Sequence, residues 1–455
     1  MKSNTADLTN GGILKKLLVV AVPIMGTQFV QMMYNLTDMF WLGQTENATM
    51  AVAASGMAGM FLWLSQAFIM VGRMGAEIGV AQNLGRGDRE TAKCYAQNAF
   101  TLSIILGVLY GLIILFFADP ILRLFSIQEA EVVSSAVAYM RLTGIGIPAT
   151  FLSASLTGML TGAGSSRRSF LANLIGLGIN MALDPLFILG LNMGVEGAAI
   201  ATIIGQWMVC IVFIYLSYHK KTRIFEKMKL WVRVNKAIAK DILKWSLPIV
   251  LESGLFTLLA MVVADVNATF GQGAIAVQKV GSQIESLSWL IGGGFGSAVT
   301  AFVGQNYGAG KWTRIRAGFK ISMRIMLVWG IFVTVLLIFG GQSLMYPFLR
   351  QEPEVLKLGS QYLKILSTCQ LCMCVEAVCS GAFRGMGKTM LPSLLSIVSN
   401  IARVPLVYYL VGRGMGLHGI WWGITATAIL RGVAIFIWYL ISQRRQPKVD
   451  VAVMG

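Results

Sequence analysis

Asp38, Asn180 and Asp184 lie inside long apolar stretches. An ionisable group there costs a few kcal/mol even on lenient insertion scales and needs a reason. Tyr34 stands one turn before Asp38 on the same helix face, and Asn180 and Asp184 form another i,i+4 pair. Pro185 follows at once. It removes a backbone donor and leaves the carbonyl of Met181 without its helical partner. Carboxylates, an amide oxygen and a freed carbonyl form an oxygen-rich set suited to a hard cation such as Na+. The same carboxylates suit a proton, because an apolar surrounding disfavours their charged form. The alternative is a polar knot that only ties helices together, although two carboxylates with no basic neighbour in sequence would tie one poorly. Pro23, fifteen residues before Asp38, breaks one rung of its helix and predicts a bend.

A second acidic group, Glu252, Glu285 and Glu376, shares the other half of the chain with Lys279, Arg403 and Arg431. These acids either contact a substrate or pair internally. Gln278 and Met33 join them as candidate substrate contacts. Methionine is plentiful, 25 in all, and its flexible thioether suits a site that accepts varied amphipathic molecules, against the plainer role of packing. Arg73 and Glu77, four apart, are expected to neutralise each other. Cys369, Cys372 and Cys379 share a face with Glu376, which suggests a soft metal, but buried cysteine more commonly packs as a small apolar residue.

The elements that must hold these groups follow from composition. Of 455 residues 56% are hydrophobic and only 13% charged, about half the usual charged share of a soluble domain. A soluble enzyme, a disordered chain and a disulfide scaffold are excluded. About 20 apolar residues cross ~30 Å of hydrocarbon as a helix. Twelve such runs are predicted, near 14–43, 50–84, 90–118, 130–163, 167–190, 195–219, 238–270, 273–307, 312–345, 355–385, 389–412 and 416–442. The net charge of +17 concentrates in alternate loops and in the 220–240 segment, which places both termini and that segment in the cytoplasm. The surplus orients the chain in its membrane rather than marking a nucleic-acid binder. The first ten residues are polar, so no cleavable signal is expected.

The two halves repeat. Val80-Ala81-Gln82-Asn83-Leu84-Gly85 matches Val303-Gly304-Gln305-Asn306-Tyr307-Gly308, and Gly158 through Gly164 matches Gly381 through Gly387, both 223 positions on. Gly194 and Gly197 match Gly416 and Gly419, and Pro23 matches Pro248. Six spans per half make the repeat parallel, an arrangement of secondary transporters. The expected organisation is an N-terminal lobe at 1–219, a cytoplasmic linker at 220–237 and a C-terminal lobe at 238–455.

This ordered series resembles the multidrug and toxic compound extrusion (MATE) family over about residues 12–442, and is most similar to the prokaryotic branch with an N-lobe cation site. It comprises Pro23 with Tyr34 and Asp38, the Gln82-Asn83 turn, Gly162-x-Gly164, Asn180-x-x-x-Asp184-Pro185 and Gly194-x-x-Gly197, with the second-half echoes. The resemblance implies an all-α integral membrane protein of twelve helices in two six-helix bundles. It implies Asp38, Asn180 and Asp184 as ligands of a coupling H+ or Na+, with Tyr34 and Thr202 as hydrogen-bonding neighbours. In another branch, acids in spans seven and ten hold sodium, and Glu252 and Glu376 lie in those spans. The implied activity is antiport of amphipathic, cationic drugs by alternating access, in the plasma membrane, by a monomer. No cofactor is expected beyond the coupling ion, no metal beyond Na+, and no nucleic-acid partner. A lipid-linked-oligosaccharide flippase of the same wider superfamily is the alternative; it would need a more basic cleft. A membrane enzyme is disfavoured, since both histidines, His219 and His418, sit at span ends, and no Walker A sequence provides for ATP.

Overall fold

The computed structural model describes residues 6–42, 48–123, 130–349, 352–447 and 449–450. Among them the chain forms twelve long α-helices, and no strand is present. They are α1 Ile13–Leu42, α2 Ala48–Arg86, α3 Arg89–Arg123, α4 Ala130–Gly162, α5 Ser166–Pro185, α6 Gly194–Tyr218, α7 Lys236–Ala268, α8 Gln272–Gly308, α9 Trp312–Leu349, α10 Pro353–Gly385, α11 Met390–Leu410 and α12 Leu417–Arg444. Among the described residues eleven are long and apolar enough to cross a membrane, and α2 completes the series. Helices prevail because hydrocarbon offers no partner to a peptide group, so each span must satisfy its own backbone. The protein is an all-α integral membrane protein of two six-helix bundles related by a parallel repeat.

Two compact units result, one of Met1–Leu8 with Val19–Val250, the other of Thr9–Leu18 with Leu251–Gly455. In the first, α4 lies against α2 at glycines. A Cβ on Gly158 would stand 2.2 Å from the carbonyl oxygen of Arg73, and one on Gly162 would stand 2.5 Å from that of Glu77. In the second unit α10 meets α8 in the same way: a Cβ on Gly381 would stand 2.4 Å from the carbonyl of Gly296, and one on Gly385 would stand 2.6 Å from that of Thr300. Only glycine permits such backbone approach, which is how helices pack where lipid leaves no hydrophobic drive between them. The repeat seen in sequence is therefore a repeat of close contacts.

The ends of the helices also repeat. The Asp88 N–H donates to the Asn83 carbonyl at 3.0 Å, and the Lys311 N–H to the Asn306 carbonyl at 2.9 Å. Each of these asparagines also turns its side-chain amide back on its own helix, to Gly79 and Phe302, both at 2.8 Å. The fifth and eleventh helices each finish in one π-helical turn, Leu186–Gly190 and Val411–Met415.

Candidate functional site

The site begins on α5. Asn180 donates through Nδ2 to Oδ1 of Asp184 at 3.4 Å, and both residues are buried, Asp184 completely. The α6 helix closes over them through small residues. A Cβ on Gly205 would come within 2.7 Å of the Asn180 Cβ, and one on Gly176 within 2.9 Å of the Gly205 carbonyl. Thr202, three residues before Gly205 and on the same face of α6, is buried as well. At Pro185 the helical ladder changes register: the Leu186 N–H donates to Leu183, and Leu191 N–H closes a wide turn on Leu186 at 2.9 Å. The missing N–H of Pro185 deprives the Met181 carbonyl of its i+4 donor, as the sequence indicates.

Pro23 lies within an unbroken α1. Its missing N–H would have served the carbonyl of Val19. The Ser166 hydroxyl, on the first residue of α5, donates to the Val20 carbonyl at 2.8 Å and lies 3.4 Å from that of Val19. A helix that lacks one backbone donor at its proline is thus met by a donor from the very helix that carries Asn180 and Asp184. Ser166 escapes a sequence reading because a hydroxyl opening a helix suggests an ordinary cap, and its partners lie some 146 residues away. Asp38 and Tyr34 belong to α1, but their side chains lie outside the described residues. Met33 is exposed.

The second unit gathers the other acids differently. Glu376 on α10 accepts from Arg431 Nε on α12 at 2.8 Å, and a second nitrogen of Arg431 lies 3.3 Å from the Ser396 hydroxyl on α11. Glu252 on α7 accepts from the Ser393 hydroxyl at 2.7 Å and stands 3.7 Å from the Arg384 guanidinium. Glu285 on α8 accepts from Gln370 Nε2 at 3.0 Å. Arg403, the repeat mate of Asn180, donates to the Thr427 hydroxyl at 3.1 Å. The side-chain oxygen of Gln278 is buried without a hydrogen-bond partner among the described residues. Two of the three candidate acids are therefore paired internally, through Arg431 and Arg384 rather than through Lys279 or Arg403. A carboxylate that already faces a guanidinium has most of its charge compensated, and parting the two would leave one charge buried and unpaired.

Duplicated six-helix bundles, with a buried carboxylate and amide on a proline-interrupted span, define a membrane transporter. The MatE family model matches residues 23–186 and 248–409, and the chain belongs to that multidrug and toxic compound extrusion family, whose members are transporters and not enzymes. The two matched segments begin at Pro23 and Pro248. Among similar proteins, the probable multidrug resistance protein NorM of Thermotoga maritima is 26% identical over 94% of this chain and 92% of its own length. A crystal structure of MATE in the bent conformation matches with TM-score 0.89 and 24% identity over 96% of this chain and 97% of that one. The straight conformation matches at 0.90 and 24% over 98% and 99%. At that identity the structures attest the shared fold.

Proposed function

We propose that this transporter is an antiporter that exports amphipathic, cationic organic compounds by alternating access, driven by H+ or Na+ entering through the first unit. It acts as a monomer in the plasma membrane, with both termini cytoplasmic. The observation that carries the reading is the buried Asn180–Asp184 pair beside the proline-freed Met181 carbonyl. Asp38 completes the ligand set, with Tyr34 and Thr202 as hydrogen-bonding neighbours. Ion binding there changes the geometry of α1 at Pro23 and with it the affinity for the exported compound. A related transporter has been crystallised with bent and straight conformations on this same fold. Because Glu252 and Glu376 are matched to arginines, the second unit contributes substrate contacts rather than a second cation site. Ion and compound then oppose each other by linkage, each lowering the affinity for the other.

The reading is supported by relatives named for multidrug resistance and export, one in Thermotoga maritima and one in Staphylococcus haemolyticus. Nothing comparable favours oligosaccharide-lipid flipping. The test is efflux of ethidium and norfloxacin from vesicles with a pH gradient and a sodium gradient imposed separately. One gradient is expected to drive export in the unmodified protein, and neither in the Asp38→Asn or Asp184→Asn variants. Full export by either variant, with normal insertion, would overturn the assignment.

A further inference from the structure

The segment between α6 and α7 is more than a tether. Its Thr222 carbonyl accepts from Arg168 at 2.5 Å and its Ile224 carbonyl from Arg89 at 2.8 Å. Further on, the Val232 N–H donates to the Thr101 hydroxyl at 3.0 Å and the Asn235 N–H to Asn98 Oδ1 at 2.7 Å. Ile224, Phe225 and Met228 are buried in the core of the first unit. Between 228 and 235 the strap alternates with period two. Met228, Leu230, Val232 and Val234 turn inward, while Lys229, Trp231 and Arg233 are exposed, Trp231 at 59%.

The anchors fix its depth. From Arg89 to Thr101 is about 18 Å along α3, at ~1.5 Å per residue. The apolar run of α3 opens at Phe100 and continues through Phe117, about the ~30 Å thickness of hydrocarbon. The strap thus descends along α3 to the hydrocarbon boundary, and Trp231 arrives there beside Val232. An indole prefers that boundary, one end apolar and one wet. The local acids are already engaged: Glu226 with Arg223 at 2.8 Å, Glu90 with Lys93 at 2.5 Å, and Asp241 with the Tyr95 hydroxyl at 2.7 Å. Lys229 and Arg233 carry no ion pair among the described residues.

We infer that this strap is a docking surface for anionic phospholipid. Trp231 seats in the interface, and Lys229 and Arg233 bind headgroup phosphates on either side of it. The inference rests on the strap's place along a membrane-spanning helix and is independent of the coupling ion.

Two measurements on the full chain test it. In vesicles containing brominated lipid, Trp231→Phe is expected to remove a quenchable part of the tryptophan emission. With phosphatidylglycerol and phosphatidylcholine offered together to the detergent-solubilised protein, Lys229→Gln/Arg233→Gln is expected to lower the preference for phosphatidylglycerol on the order of tenfold. All three side chains point away from the core, so these variants should still fold, and an unchanged melting temperature checks this. Equal quenching in the Trp231→Phe protein, or an unchanged lipid preference in the double variant, would overturn the inference. So would displacement of the lipid by soluble glycerol phosphate or by RNA at comparable concentration, which would mark a free-phosphate or nucleic-acid site instead.

Discussion

At corresponding positions the two units agree in their backbone and disagree in their charge. Gly158 and Gly162 press α4 onto α2 as Gly381 and Gly385 press α10 onto α8. Yet Asn180 and Asp184 on α5 correspond to Arg403 and Val407 on α11, and Gly205 on α6 corresponds to Thr427 on α12. The exchanges are coupled. Where the first unit sets an amide against glycine, the second sets a guanidinium against a hydroxyl that can accept from it. Backbone-to-backbone contact tolerates no side chain, so it constrains both copies alike. Polar interiors need only satisfied partners, and so one copy is able to hold Asp184 beside an amide on α5 while the other closes Glu252 and Glu376 with arginines.

This contrast can be broken in graded ways. The largest effect is expected from Asp184→Asn, which should reduce ion-driven efflux in vesicles to background, while Val407→Asn at the matching position of the second unit leaves it measurable. Loss of efflux in both would show that the units are not functionally distinct. Next is Glu376→Gln, which leaves Arg431 facing a neutral amide in a buried place. A loss of about 3–5 kcal/mol is expected, read as a lowered melting temperature. The double variant Glu376→Gln/Arg431→Gln should recover part of that loss, because it removes the stranded charge.

Gly158→Ala and Gly381→Ala test the shared scaffold. Each places a methyl against a backbone carbonyl, at 2.2 and 2.4 Å, and each should cost about 1–3 kcal/mol by overpacking. Similar melting shifts for the two would sharpen the case for duplicated packing; a shift in only one would break it.

The smallest effect belongs to Asp88, which opens α3 where the repeat has Lys311 opening α9. Its carboxylate accepts from the Thr91 N–H at 2.9 Å. The Thr91 side chain and backbone hold it below the ordinary carboxylate range. Asp88→Ala should cost about 1 kcal/mol as a lost helix cap. Since the folded-state value is depressed, the stabilisation is present above the unfolded carboxylate's value near 4 and disappears as pH falls through the folded one. Melting curves of Asp88→Ala and the parent should therefore converge in acid. Lys311→Ala should show no such convergence.

Much of this was legible in the linear chain. Twelve apolar runs of spanning length became twelve helices among the described residues, because crossing length and the need to satisfy the backbone leave no other element. The repeat was visible because glycines at matched offsets encode matched close contacts. The Asn180–Asp184 contact was legible too, since four residues along one helix is a spacing fixed by the helix itself. The partners across helices were not. Ser166 on the carbonyls of α1, Arg431 on Glu376, and the strap on Asn98 and Thr101 each join residues tens to more than a hundred positions apart. Which of several arginines meets a given glutamate depends on the rotation and depth of whole helices. Those are set by the summed packing of every face, a quantity that no local spacing contains.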